Sequence, residues 1–431
     1  MRGLFVLLAI AGTAPLVLAY PHVGVLIWSW LSFMNPHRMG WGMAVNFPVA
    51  AVAGGIALVA WAIGRERKLP VGHPLVYLMA AYLSWVTLTS VVSINPDLSW
   101  HAWKEFAKIM LFSLMVATLI TSKSRINALV WVMALSFGYY GIKGGISTIL
   151  GGGTGHVWGP PGSFIGDNNT LGLALNMTIP LIRYLQIQAT DRRLKMVLMG
   201  ALILTILGIL GTQSRGAMLG LATILFIYFM RTRGQRIYAL LFAAVGVSLA
   251  LFFMPASWLE RMETIETYQS DGSAMGRIQM WRFSIDIANE NPITGGGFDV
   301  VYDEQTQDRL LPPEIARRAV HSIYFEVLSE HGYAGLLLFL IIGFTALGTA
   351  GRIKKRCRDV PSLEWAHHLG GMLQLSLIAY ATNGAFLNMG VFDYYWELVA
   401  LTASLAVLTQ KAAVESRLDI ADSRNLPLRY A

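Results

Sequence analysis

Again and again this chain runs for about 20 residues on apolar side chains, the length an α-helix needs to cross the hydrocarbon core of a bilayer. Candidate spans fall near 44–63, 73–91, 103–121, 126–148, 170–188, 195–213, 215–231, 236–254, 321–349, 366–388 and 393–411. Composition agrees: 55% of residues are apolar and 13% charged, against roughly 25% charged in soluble domains. In hydrocarbon every backbone polar group must be satisfied within its own segment, so spans of this length are helices. The expected fold class is all-α, a polytopic membrane helical bundle of about 12 transmembrane helices, with 1–431 forming a single membrane domain.

The short polar turns set the topology. Arg65-Glu-Arg-Lys68, Lys123-Ser-Arg125, Asp191-Arg-Arg-Leu-Lys195, Arg231-Thr-Arg-Gly-Gln-Arg236 and Arg352 to Arg358 fall on alternate connections. The positive-inside rule assigns all of them to the cytoplasm. Their spread also explains the formal charge of +8 without a nucleic-acid partner. The N-terminus imitates a signal peptide, but Ala19-Tyr20-Pro21 is a poor cleavage site, so the segment is expected to be retained. Pro15 and Pro21 disfavour an unbroken helix over 4–34. With Arg2 favouring the cytoplasm, 4–34 reads as one broken crossing. The single cysteine, Cys357, permits no disulfide within the chain.

The remaining connections then face the other side of a bacterial inner membrane, the periplasm. Two are long: 149–169, rich in Gly and Pro, and the periplasmic loop 255–320. Within the latter, Ala274, Ile278, Trp281, Ile285 and Ala288 recur at helical spacing, implying an amphipathic helix on the bundle or bilayer. Asn291-Pro292 ends it, and Gly295-Gly-Gly297 makes a turn where backbone approaches something closely. The segment 412–431 reads as a polar, disordered cytoplasmic tail.

Function shows where the charge rule is broken. Lys104 and Lys108 share one helix face near the outer side. Lys143, Arg215 and Arg277 also fall on or just inside that side. A charge near apolar surroundings costs a few kcal/mol unless paired or hydrated; a pocket for an anionic head group, in particular a diphosphate, would use several. Plainer readings exist: Lys104 pairing with Glu105 or reaching lipid phosphates, Lys143 likewise, and Arg277 pairing within its acidic loop. Arg215 is the most informative, because Thr212-Gln-Ser-Arg-Gly216 is the whole connection between two apolar segments. His321 stands at the mouth of the next span, where a neutral imidazole can serve as a base or be a plain interfacial histidine. Glu330 lies roughly 13 Å further along a continuous helix, out of contact with His321. No Walker-type motif, no metal-ligand spacing and no nucleophile elbow is present. His367-His368 sits on the cytoplasmic side, its rings on diverging faces.

Read in order, these features resemble the O-antigen ligase and O-antigen polymerase superfamily. The matching pieces are Gly-Ser-Phe…Asp-Asn-Asn (162–169), Ser-Arg-Gly (214–216), Gly-Arg-x-x-x-Trp followed by Asn-Pro-x-x-Gly-x-Gly (276–297), and His-Ser-x-Tyr with Glu-x-Gly-x-x-Gly (321–335). The resemblance implies a membrane-embedded, GT-C-like inverting glycosyltransferase that needs no metal and no cofactor. Its ligase branch moves a glycan from undecaprenyl diphosphate to the lipid A–core oligosaccharide on the periplasmic face. Arg215 and Arg277 would hold the diphosphate, with Lys104, Lys108 and Lys143 as further candidates. His321 would act as general base; Glu330, Asn169 and Trp281 would support the site. Glycan polymerases and protein O-oligosaccharyltransferases use the same donor and similar motifs, so the acceptor stays open. A transporter for the lipid-linked glycan predicts cations on both leaflets and broken helices near the midplane.

Overall fold

The computed structural model describes residues 2–38, 49–64, 66, 72–231, 272–313 and 315–425. Among them are α1 (Arg2–Ala19), α2 (Pro21–Met34), α3 (Val49–Ile63), α4 (Pro74–Val91), α5 (Pro96–Leu119), α6 (Lys123–Leu150) and α7 (Asn168–Gln188). There follow α8 (Arg192–Gly211), α9 (Arg215–Arg231), α10 (Gly272–Glu290), α11 (Glu304–Leu310), α12 (Ile323–Arg356), α13 (Glu364–Gly384) and α14 (Asp393–Asn425). The described residues contain no strand, so the all-α class holds. By length and composition α4, α6, α8 and α12 are each able to cross a membrane. The anticipated span 236–254 and the first part of the loop 255–320 lie outside the described residues. Residues 412–425, expected to be disordered, continue α14 as helix.

Polar side chains set the helix starts. Asn95 accepts from Leu98 N, Ser122 from Arg125 N, Asp167 from Asn169 N and Thr170 N, and Asp191 from Arg193 N. Each cap satisfies an amide that has no partner inside its helix. Packing is closest between α6 and α8, where a methyl on Gly145 would lie 2.1 Å from the Leu204 carbonyl oxygen. Small residues that let backbones touch replace the hydrophobic driving force that lipid removes. Two buried carboxylates tie α14 to α2: Ser29 donates to Glu397, and Ser32 to Asp393.

Contacts sort the connections onto two faces. On one, Arg125 forks onto Glu66, Lys123 lies over the Trp365 ring, Gln186 donates to Lys195 O, and Arg231 donates to Gln374. This basic face gathers the described parts of the five basic turns. On the other, Ile94 N donates to Gly296 O, Asn95 to Asp303, Val157 N to Gly211 O and Asn168 to Thr212 O. His321 lies on this second face, the site face.

The reading of 4–34 as one broken crossing is corrected. Ile10 clusters with Leu31, Val49 and Ala53, and a methyl on Gly24 would lie 2.8 Å from Val17. In one continuous rod Ile10 and Leu31 would stand about 31 Å apart. The chain therefore reverses at Tyr20, and α1 returns its N-terminal end toward the site face. Pro21, the first residue of α2, has no amide hydrogen to continue α1 and starts a new helix without loss.

Above the bundle, α10 packs on α12 through a small separate core of Met280, Phe283, Ile287, Val300, Val301, Leu311 and Val320. The amphipathic helix is present as expected, but its buried stripe differs. Gly276, Met280, Phe283, Ser284, Ile287 and Ala288 face inward, while Ile278, Trp281 and Ile285 are only partly covered.

Candidate active site

His321 occupies the last-but-one position before α12, and its backbone is held from outside the helix. The His321 amide donates to the Asn388 side-chain carbonyl on the 385–392 connection. Its φ is +51°, a left-handed conformation that costs a non-glycine residue about 1–2 kcal/mol. Asn35, Gln213 and Asp299 are the other described non-glycine residues of positive φ, and all lie in connections on the site face. Strain of this kind persists only where surrounding contacts over-determine it.

The imidazole is half-buried, and three charged residues act on it. Burial depresses its pKa from the ordinary value, the Arg277 cation adds to the depression, Asp167 opposes it, and Arg318 lowers it further. The net result is a ring held neutral near pH 7, ready to accept a proton. Asp167 acts through space, because its oxygens already accept from Asn169 N, Thr170 N and the Thr170 hydroxyl at 2.5–3.1 Å.

The arginines come from different elements. Arg277 lies in the second turn of α10. The Arg318 guanidinium covers Gly276, where a methyl would sit 2.8 Å from Nη1. One turn beyond Arg277, Trp281 stacks on Phe325 with centroids 5.0 Å apart and donates Nε1 to Val320 O at 3.0 Å. Trp281 thereby fixes the residue just before His321. Arg215 opens α9 behind the left-handed Gln213. Asn168 holds Thr212 O at 2.8 Å, and Gln213 reaches Gly153 O at 3.1 Å. The following Gly216 faces Phe386, where a methyl would lie 3.7 Å from the Phe386 Cβ. Arg215 and His321 thus flank the same 385–392 connection, although Arg215 is not among the charges that shift the histidine. Arg38, just past α2, rests over Gly162 in the turn leading to Asp167.

Other expected residues fall elsewhere. Lys104, Lys108 and Lys143 are exposed, and none acts on His321. It is Lys108, not Lys104, that pairs with Glu105, at 2.6 Å. Asn169 makes only local bonds at the start of α7; Asp167, two residues before it, is the one whose charge acts through space on the histidine.

Glu330 is buried and structural. Gly332, at φ +69° and ψ −173°, breaks α12, so the Ser329 and Glu330 carbonyls lose their helical donors. Gly296 N and Gly297 N replace them, each at 2.8 Å, while Tyr333 N donates to Pro292 O. The Glu330 carboxylate accepts from Asp299 N at 3.0 Å. The Asn-Pro-x-x-Gly-x-Gly and Glu-x-Gly stretches are therefore two halves of one backbone joint. Nearby, Glu326 accepts from Gly390 N at 2.9 Å, anchoring the connection that holds His321.

Sequence reasoning missed Asp167, Arg318 and Asn388. The charge rule that singled out Arg277 applies equally to Arg318, a cation on the acid-rich side three residues before His321. Asp167 stood inside a quoted motif. Asn388 carries no spacing signal at all.

Two family models match the chain. Residues 200–340 match a model described as O-antigen ligase, and residues 1–190 match one described as a family of unknown function. A search among curated proteins gives no match.

Proposed function

We propose, from the O-antigen ligase family domain that residues 200–340 carry, that this chain transfers a glycan from undecaprenyl diphosphate to the lipid A–core oligosaccharide. The observation that carries the reading is the convergence on a half-buried, neutral histidine of Arg277, Arg318 and Asp167, drawn from three separate chain segments. Such a site suits one inverting displacement. The His321 imidazole takes the proton from the acceptor hydroxyl as its oxygen bonds to the anomeric carbon. The bond from that carbon to the diphosphate oxygen breaks, and the diphosphate leaves with the electron pair. Arg277 and Arg318, with Arg215 across the 385–392 connection, hold the departing charge; guanidiniums stay protonated and fork onto phosphate oxygens. Asp167 stabilises the imidazolium that forms. Cleavage of the glycosyl–diphosphate bond supplies the driving force, so no nucleotide is needed. The site face is the periplasmic face in this reading.

The deciding experiment supplies purified protein with lipid-linked glycan and one of three acceptors: lipid A–core, glycan alone, or peptide. Product on lipid A–core is the expected outcome. Product only on glycan or only on peptide would reassign the chain to polymerase or protein-glycosylating activity.

A further inference from the structure

On the basic face, away from His321, a second polar recess opens. Arg183 of α7, Arg231 of α9, Lys354 of α12 and the pair His367 and His368 of α13 line a cavity of about 510 Å³. Arg183 lies about 22 Å along α7 from the end that carries Asp167. The recess adjoins an apolar cleft of about 250 Å³, and Arg183, Tyr228, Met372 and Leu375 line both. The cleft runs between α7, α8, α9 and α13 and is walled by Ile179, Leu202, Ile206, Ile224 and Phe229.

The positive-inside rule accounts for cations on this face but not for their convergence on one hollow. Among the described residues no carboxylate lies within ion-pair distance of Arg183, Arg231 or Lys354. Their bonds go to neutral groups: Arg183 donates to the Tyr228 hydroxyl and to Gln186, and Arg231 donates to Gln374. His367 Nδ1 meets Lys354 O at 2.7 Å. Glu364, an exposed acid, sits 3.6 Å from His368.

We propose that this compound cavity binds an anionic phospholipid of the adjoining leaflet, its phosphate among the basic side chains and an acyl chain in the cleft. Like charges gathered at the edge of hydrocarbon repel unless an anion joins them, and the attraction grows as the local dielectric falls. Basic hollows between transmembrane helices on the cytoplasmic side suit acidic head groups. A zwitterionic head would bring its own cation into the recess. A free phosphate would satisfy the charges and leave the cleft empty. Only a lipid uses both halves. The site is separate from His321 and does not depend on the transfer reaction.

The test uses full-length protein, delipidated in a neutral detergent and titrated with dioleoylphosphatidylglycerol, dioleoylphosphatidylcholine or glycerol phosphate, with bound ligand read by native mass spectrometry. Phosphatidylglycerol is expected to bind at least tenfold more tightly than either other probe. Arg183→Gln combined with Lys354→Gln removes that preference, whereas Arg192→Gln, an exposed cation on the same face, keeps it. Leu202→Trp, which fills the cleft, weakens phosphatidylglycerol and leaves glycerol phosphate unchanged. Equal wild-type affinity for the two lipids overturns the proposal, and this comparison needs no variant to fold. A preference that survives the double substitution overturns it too. Glycerol phosphate binding as tightly as phosphatidylglycerol would make this a phosphate site and not a lipid site.

Discussion

At His321 a strained backbone and a depressed basicity coincide, and the proposed role as general base makes both testable. A general base contributes about 10²- to 10⁴-fold, so His321→Gln, which keeps hydrogen-bonding capacity without taking a proton, is expected to lower single-turnover transfer by that range. A near wild-type rate with an unchanged pH profile would leave His321 a positioning role. In the proposed mechanism transfer requires the neutral ring, so the rate is expected to fall as pH drops through its pKa. Burial and Arg277 lower that pKa, which puts the acid limb of kcat/KM below the ordinary histidine value of about 6.5. Arg277→Gln removes a cation beside the ring, and the limb should move to higher pH. If Arg277 holds the leaving group as proposed, the same substitution should cost on the order of 3 kcal/mol, about two decades in rate. A limb that stays in place would show that Arg277 does not act on His321. Much of this site was legible because a cation on the acid-rich side breaks a strong rule. Arg277 and Arg215 stood out for that reason. Asp167 and Asn388 did not, since a helix-capping carboxylate and a neutral amide carry no charge-rule or spacing signal that sets them apart in the sequence.

The elements were read more easily for where they lie than for how they bend. Twenty apolar residues announce a helix, and a cluster of arginines announces a turn. Neither says that Gly332 opens α12, because the residues on both sides favour helix. The joint can be seen only when Gly296 and Gly297 are brought to the vacant carbonyls. In the same way, α10 was legible as an amphipathic helix, but which stripe it buries depends on the small core it makes with α12. Gly332 carries the sharpest element-scale prediction. Its φ and ψ are open essentially to glycine alone, and a methyl there would lie 2.4 Å from the Ile293 carbonyl oxygen. Gly332→Ala should therefore destabilise the protein by more than about 2 kcal/mol, read as a lower Tm in detergent. Gly200→Ala in α8, where a methyl meets nothing within 4 Å, should be neutral or stabilising by up to about 1 kcal/mol. Equal Tm values for the two variants would refute the joint.

At the scale of the molecule, the two faces make a direct prediction of sidedness. Gln305 and Ser362 are exposed on the site face and the basic face, while Cys357 is buried. In spheroplasts a membrane-impermeant maleimide should label Gln305→Cys and spare Ser362→Cys. The reverse pattern would put His321 in the cytoplasm, away from the donor glycan. The hairpin of α1 and α2 adds that a small tag ahead of Arg2 should be reached by protease from the same side as Gln305. Protection of that tag would restore a single crossing. Arg2 alone pointed the other way, because one charge at a terminus weighs little against the packing of Ile10 on Leu31.

The position of Asn388 has a consequence for anyone who would transplant the proposed activity. The family-matched stretch 200–340 includes His321 and its arginines, yet the grip on the histidine backbone comes from a residue after it and the balancing carboxylate, Asp167, from before it. That stretch is not an interchangeable cassette. A chimera that swaps it between relatives will inherit the reactive groups but take their alignment from the host, so acceptor choice and turnover should segregate separately among such hybrids.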